Sequence, residues 1–224
     1  MNGARLNRSF FDRPVLTVAR ELLGTRLVRV ESGQRLAGRI VETEAYDGTG
    51  DLGCHARAGR TARNASMWGP PGHAYVYFTY GMHWLLNLVT GPDAYPAAVL
   101  LRAMVPEEGV EEMVARRRGR VGPALTDGPA KLCQALGIGS DQDGLDLCAP
   151  GAPLWIEAGT AVPDAQVVTG SRVGLNSVPE PWKSIPWRFR VRALGPGLRG
   201  GKPTWTRGVP TTATTRVGGP TDAD

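Results

Sequence analysis

The sequence predicts an α+β fold in one compact domain: mostly antiparallel strands at the core, helices flanking them and one protruding β-hairpin. Three observations lead there. Residues 26–30 and 36–46 read as strands joined across Glu31-Ser-Gly-Gln34, a connection suited to an antiparallel pair. Residues 73–89 form a second ribbon that turns back at Tyr80-Gly81. Apolar residues at helical spacing are confined to short stretches, and a chain of 224 residues is long enough for one good core.

In chain order, Phe10-Phe-Asp-Arg-Pro14 leads into a helix whose apolar positions are Val15, Val18, Ala19, Leu22 and Leu23, with Gly24 placed to end it. On the strand 36–46, period two sets Glu42, Glu44 and Tyr46 on a single face. Residues 47–72 show little periodicity and predict a long loop carrying Asp51, Cys54, His55, Arg57, Arg60 and Arg63. Loops longer than about 12–15 residues inside a compact domain usually have a function or are disordered. In the hairpin, Tyr75, Tyr77 and Thr79 fall on one face and Ala74, Val76 and Phe78 on the other. Gly81 is the turn residue and Leu85–Val89 the returning strand.

Next come a strand over Ala97–Val105 carrying Arg102, a helix over Pro106–Arg118 with acids first and arginines last, and a short helix over Gly128–Leu136 closed by Gly137. Leu154–Glu157, Gln166–Leu175 and Trp187–Arg192 read as later strands. From Gly195 the composition turns to Gly, Pro, Thr and Arg without periodicity. The domain is therefore expected over 1–194 and a flexible tail over 195–224.

No apolar run approaches the roughly 18–20 residues of a membrane span, and the N-terminus lacks a signal-peptide core. A soluble, cytoplasmic protein is expected. The net charge of +5 permits a polyanionic partner without demanding one. Only three of the 26 basic residues are lysines, and arginine suits planar and phosphate recognition better. An overall base-composition bias explains that ratio equally well. Cys54, Cys133 and Cys148 are too few and too scattered for a disulfide framework, which favours a reduced compartment.

Residue by residue, the chemistry stays open. Glu42 and Glu44 are strand carboxylates that can serve as a general base or stay ionised beside a cation such as Arg102, and on the residues alone a structural salt bridge across the sheet is the favoured reading. Asp51, Cys54, His55, His73 and His83 fit no recognised zinc spacing. No nucleophile-elbow motif and no Gly-rich phosphate loop occurs. Tyr75, Tyr77 and Tyr80 are either hairpin packing or a surface for something flat.

Several blocks in order resemble the alkyladenine (3-methyladenine) DNA glycosylase family. They are Phe10-Phe-Asp-Arg-Pro14 with Ala19-Arg-Glu-Leu-Leu-Gly24, Gly38-Arg-Ile-Val-Glu-Thr-Glu-Ala-Tyr46, Tyr75-Val-Tyr-Phe-Thr-Tyr-Gly-Met82, Val99-Leu-Leu-Arg102, Gly128-Pro-Ala-Lys-Leu-Cys-Gln-Ala-Leu136 and Arg172-Val-Gly174. Together they span about residues 9–193. The resemblance implies a curved antiparallel sheet without a helix-hairpin-helix. It also implies a cofactor-free, metal-free monofunctional enzyme that releases damaged purines from double-stranded DNA, expected as a monomer.

By motif position, the resemblance makes Glu44 the general base and Arg102 the residue that helps hold the attacking water, with a backbone carbonyl near Leu175 as a third contact. Tyr46 would stack on one face of the flipped base, His55 and Tyr77 on the other. Asn87 would crowd the 2-amino group of guanine. Tyr80, with Met82 beside it, would enter the minor groove. His83 stands where many relatives carry an aromatic, and Asn176 where a small residue is familiar. No lysine occurs in 40–105, which argues against a Schiff-base step. Two rival readings are a non-catalytic module that senses distorted DNA and a free-nucleoside ribohydrolase.

Overall fold

The computed structural model describes residues 3–192. The predicted tail at 195–224 lies outside the described residues. Helices α1 (Arg8–Phe11) and α2 (Val15–Glu21) precede β1 (Arg26–Glu31) and β2 (Gln34–Asp47). The hairpin strands are β3 (Ala74–Thr79) and β4 (His83–Thr90). Then follow β5 (Ala97–Glu108), α3 (Val110–Arg116), α4 (Pro129–Leu136), β6 (Leu154–Glu157), β7 (Val167–Gly170) and β8 (Arg188–Val191). The sheet runs β3-β4-β5-β2-β1-β6, with β8 joining β2 and β7 joining β8; all pairings are antiparallel.

The long strand β2 is the spine. One edge pairs with β5 throughout, while the other pairs first with β1 (Gln34–Arg39) and then with β8 (Glu42–Glu44). Register shifts against β5 between Ile40 and Thr43 fall at that changeover. Such bulges bend a strand and re-aim the side chains beyond them, here Glu42 and Glu44.

Period two sorts the two faces. Ala45, Ala74, Val76, Leu86, Leu88, Val99 and Leu101 are buried in the main core with Val18, Ala19 and Leu22 of α2 and Leu132 and Leu136 of α4. Thr43 ties the layers by donating to the Ala19 carbonyl at 2.8 Å. The intervening residues face the other way, where Tyr75, Val89 and Ala98 pack with Cys54, Ala56 and Met67 in a second, smaller core.

Four sequence expectations shift. The 47–72 segment contains 3-10 helices at His55–Ala58 and Ala62–Trp68, the second held by reciprocal bonds between Thr61 and Asn64. The returning hairpin strand starts at His83, two residues before Leu85. The helix expected from Pro106 begins only at Val110, because Glu107 and Glu108 continue β5 and pair with Arg26, Arg35 and Arg39 of the neighbouring strands. Gln166–Leu175 is a strand only over Val167–Gly170. Beyond it Arg172 is drawn into a buried ion pair and Gly174 takes a φ of 85°, so the chain leaves the sheet.

Candidate active site

The second face of the sheet opens into a cavity of about 310 Å³, within the range of small-molecule sites. Tyr46, His55, Tyr77, Tyr80, Asn87, Arg102 and Leu175 all line it. The sequence separates these residues by up to 129 positions; the pairing of β2, β3, β4 and β5 brings together Tyr46, Tyr77, Asn87 and Arg102, while His55 comes from a 3-10 helix, Tyr80 from the hairpin turn and Leu175 from the segment after β7. Met82 is not among the lining residues; it stands 69 % exposed at the hairpin tip beside Tyr80, itself 83 % exposed.

Glu44 is not itself among the lining residues and has no exposed surface, but it is bonded to three that are, Tyr46, Arg102 and Val173. Its Oε2 accepts from the Tyr46 hydroxyl at 2.9 Å and from Arg102 Nη1 at 3.3 Å, and its Oε1 accepts from the Val173 backbone N–H at 2.7 Å. An ionised carboxylate offers roughly four lone-pair positions. Three are spoken for, which leaves capacity for one more donor. Burial pushes the Glu44 carboxyl above the ordinary carboxylate range; Arg102, the Val173 N–H and Tyr46 oppose that without cancelling it. A carboxylate held this way is more basic than one in water yet still stabilised as an anion.

Arg102 is fixed in turn. Its Nε donates to Glu42 Oε1 at 2.9 Å, and the same oxygen accepts from Arg188 Nε at 2.7 Å. The cross-sheet ion pair and the buried Glu44 carboxylate are thus parts of one array, Arg188–Glu42–Arg102–Glu44. Sequence reading missed Arg188, since its neighbour on the sheet lies 146 residues away and only the β2–β8 pairing reveals it.

The His55 and Tyr77 rings, which line the same cavity as Tyr46, meet edge-on at 4.6 Å, and Tyr75 lies 5.4 Å from Tyr77. The Tyr75 hydroxyl is 2.8 Å from His55 Nδ1, its hydrogen-bond partner among the described residues. Tyr75 is buried, so its hydroxyl hydrogen goes to Nδ1, and the ring hydrogen of a neutral His55 then sits on Nε2. Burial, with Arg63 and Arg57 adding to it, lowers the His55 pKa and keeps the ring neutral. Burial likewise raises the Tyr77 phenol to about 12, so this wall carries no anion. Asn87, cross-strand from Tyr75, is pinned by donating to the Tyr75 carbonyl at 3.1 Å. The Leu175 carbonyl is engaged by the Val178 N–H at 3.0 Å; from that segment it is the Val173 N–H that reaches Glu44.

Above the cavity, the Thr79 carbonyl accepts from the Met82 N–H at 3.2 Å, closing the hairpin turn. Gly81 has a φ of 67°, as expected of the turn residue, but Tyr80 also takes a positive φ, 51°. A non-glycine residue there is held against its own preference. His83 is exposed next to this turn, and Asn176 is exposed and does not line the cavity. Of the histidines and acids weighed for metal binding, Asp51 is taken by Arg172 and His55 by Tyr75. Among the described residues no group of three or more His, Cys, Asp or Glu is placed to hold a metal ion.

The family model for methylpurine-DNA glycosylase matches residues 9–194. The chain belongs to that family. Among its relatives is a protein of Methanocella arvoryzae, 51% identical over 185 residues, covering 82% of this chain and 90% of the relative. A Streptomyces avermitilis protein is 50% identical over 188 residues, covering 83% and 87%. A Chlorobaculum parvum protein is 42% identical over 217 residues, covering 96% and 94%. All three carry the name "Putative 3-methyladenine DNA glycosylase". Membership of the methylpurine-DNA glycosylase family makes this chain a hydrolase of N-glycosidic bonds and places it in base excision repair. No helix among the described residues is long and apolar enough to cross a membrane.

Proposed function

We propose that this glycosylase hydrolytically releases alkylated purines, 3-methyladenine among them, and deaminated purines from double-stranded DNA, acting on a nucleotide turned out of the helix. The observation that carries the reading is the placement of Glu44: wholly buried, raised in pKa and held by three donors, Tyr46, Arg102 and Val173, all of which line an aromatic cavity beside an exposed hairpin tip.

The chemistry follows from that placement. C1′ of a stacked nucleotide is shielded, so the base must first leave the stack, at a cost of a few kcal/mol that an inserted wedge offsets. Tyr80 is the wedge, with Met82 next to it. The extruded purine enters between Tyr46 on one side and Tyr77 and His55 on the other, where stacking contributes about 1–3 kcal/mol per base. Asn87, immobilised by its bond to the Tyr75 carbonyl, sets the shape of the cavity floor.

As the glycosidic bond breaks, positive charge develops on the sugar, and the purine departs with the bonding electrons. Glu44 stabilises that charge and takes a proton from the attacking water, whose oxygen bonds to C1′. Arg102 helps to hold both the carboxylate and the water. N-alkylated purines that already carry a positive charge leave readily; neutral lesions need a donor on the base, and the wall offers the Nε2–H of His55 and the hydroxyl of Tyr77.

The test is Glu44→Gln on a duplex carrying a single alkylated purine. Binding should survive, while base release, read by mass spectrometry of the freed base, should fall by several orders of magnitude. Turnover close to that of the unaltered protein would overturn the assignment.

A further inference from the structure

Arg172 packs over the Tyr46 ring. Its guanidinium carbon is 4.7 Å from the centre of the Tyr46 ring and 5.2 Å from that of Trp187. Nη2 donates to Asp51 Oδ1 at 2.8 Å, Nη1 also bonds Asp51 Oδ2, and both side chains of this pair have no exposed surface. Nη1 donates further to the Ala45 carbonyl at 3.0 Å, and Nη2 to the Trp182 carbonyl at 3.3 Å. The Asp51 carboxylate is itself oriented by the Gly53 N–H at 2.8 Å and the Asp47 N–H at 3.2 Å.

A buried ion pair that served only to join two segments could be replaced by apolar packing with little loss. This one is placed differently. Its guanidinium grips the carbonyl of Ala45, between Glu44 and Tyr46, and lies over the ring of Tyr46, which lines the cavity. The next residue along the chain, Val173, gives its N–H to Glu44. Gly53 belongs to the same device: a Cβ there would come within 2.6 Å of Arg172 Nη2 and 2.7 Å of Leu175 Cδ1. The glycine lets the 47–53 loop close on the guanidinium.

We infer that Arg172, locked by Asp51, is a positioning residue for base release, fixing the Tyr46 ring and the Val173 N–H that together orient the Glu44 carboxylate. This rests on the reading of Glu44 as the base. Lysine at 172 keeps the charge opposite Asp51 but can neither lie flat on the tyrosine nor bond in a fork.

The experiment measures single-turnover base release against pH for the full chain, Arg172→Lys and Asp51→Asn, with Glu44→Gln alongside and the folded fraction of each set by circular dichroism. The Val173 N–H lowers the Glu44 pKa, so loosening it should move the acid limb of the rate profile to higher pH. The expected result for Arg172→Lys is that move together with at least a tenfold fall on the plateau, while affinity for a duplex holding an abasic-site analogue changes less than threefold. Asp51→Asn should move the limb in the same direction by less, and it carries the test if the lysine variant does not fold. A limb unmoved in the folded variants, with rates scaling only with folded fraction, would overturn the inference. Undiminished release by Glu44→Gln would instead overturn the reading on which it rests.

Discussion

The Tyr46 hydroxyl and the Glu44 carboxylate, two residues apart on β2, share a 2.9 Å hydrogen bond, so a wall of the cavity and the buried carboxylate are chemically one unit. Burial raises the Tyr46 phenol well above its ordinary value and the Glu44 charge adds to the rise, so Tyr46 remains a donor throughout the working pH range. Stacking and charge placement can nevertheless be separated, because phenylalanine keeps the ring and removes the donor.

Tyr46→Phe should therefore leave lesion binding within about threefold while base release falls about tenfold, a loss in keeping with one hydrogen bond to a charged group. The Tyr46 bond lowers the Glu44 pKa. Without it the carboxyl protonates at higher pH, so the deficit should be largest on the acid side of the rate profile. A pH series of single-turnover rates checks both statements.

The stability of Glu44→Gln relative to the unaltered protein should rise with pH, although the variant is inactive. A carboxyl whose pKa is raised on folding binds its proton more tightly in the native state, so stability is lost as pH rises from the ordinary glutamate range through the raised value. Glutamine has no proton to lose. Each kcal/mol released should raise Tm by about 2–4 °C in a domain of this size. The rise should be absent below the ordinary carboxylate range, where Glu44 itself is neutral in the folded and the unfolded chain. Thermal melts at several pH values measure it.

Tyr80 makes the opposite kind of variant. With 83 % of its surface exposed and a φ of 51°, its ring contributes little to the fold and its backbone is strained. Tyr80→Gly should gain up to about 1 kcal/mol of stability by removing that strain. In the proposed reaction it should also lose at least tenfold in the equilibrium for turning the lesion out, followed by the fluorescence of a reporter base. Chemistry on nucleotides already turned out should change little, since Glu44 and its partners are untouched.

Much of this was legible in the sequence where the signal is local. Period two placed Tyr75 and Tyr77 on one face and Glu44 with Tyr46 on another, and residues of both faces line the same cavity. Glycine marked the turns at Gly33 and Gly81 and the end of α4 at Gly137. What stayed hidden depends on partners far along the chain. Glu107 and Glu108 look like the acidic first turn of a helix until Arg26, Arg35 and Arg39 are seen beside them on adjacent strands. Arg172 reads as a strand residue until Asp51, 121 positions earlier, is found across from it. Long-range ion pairs leave no periodic trace, so no window of sequence announces them.

The bond between Tyr75 and His55 carries the last prediction. Because the buried phenol donates to Nδ1, the ring hydrogen is committed to Nε2. Tyr75→Phe removes the donor and frees Nδ1 to take that hydrogen, so the ring can present an acceptor to the cavity where it now presents a donor. The fold should lose about 1 kcal/mol with the hydrogen bond. In the proposed reaction the kinetic effect should depend on the lesion. Release of cationic alkylpurines, which leave unaided, should fall less than threefold, whereas release of neutral deaminated purines should fall tenfold or more. Parallel single-turnover assays on the two duplexes give the ratio directly, and equal losses on both would remove His55 from its role as donor to the leaving base.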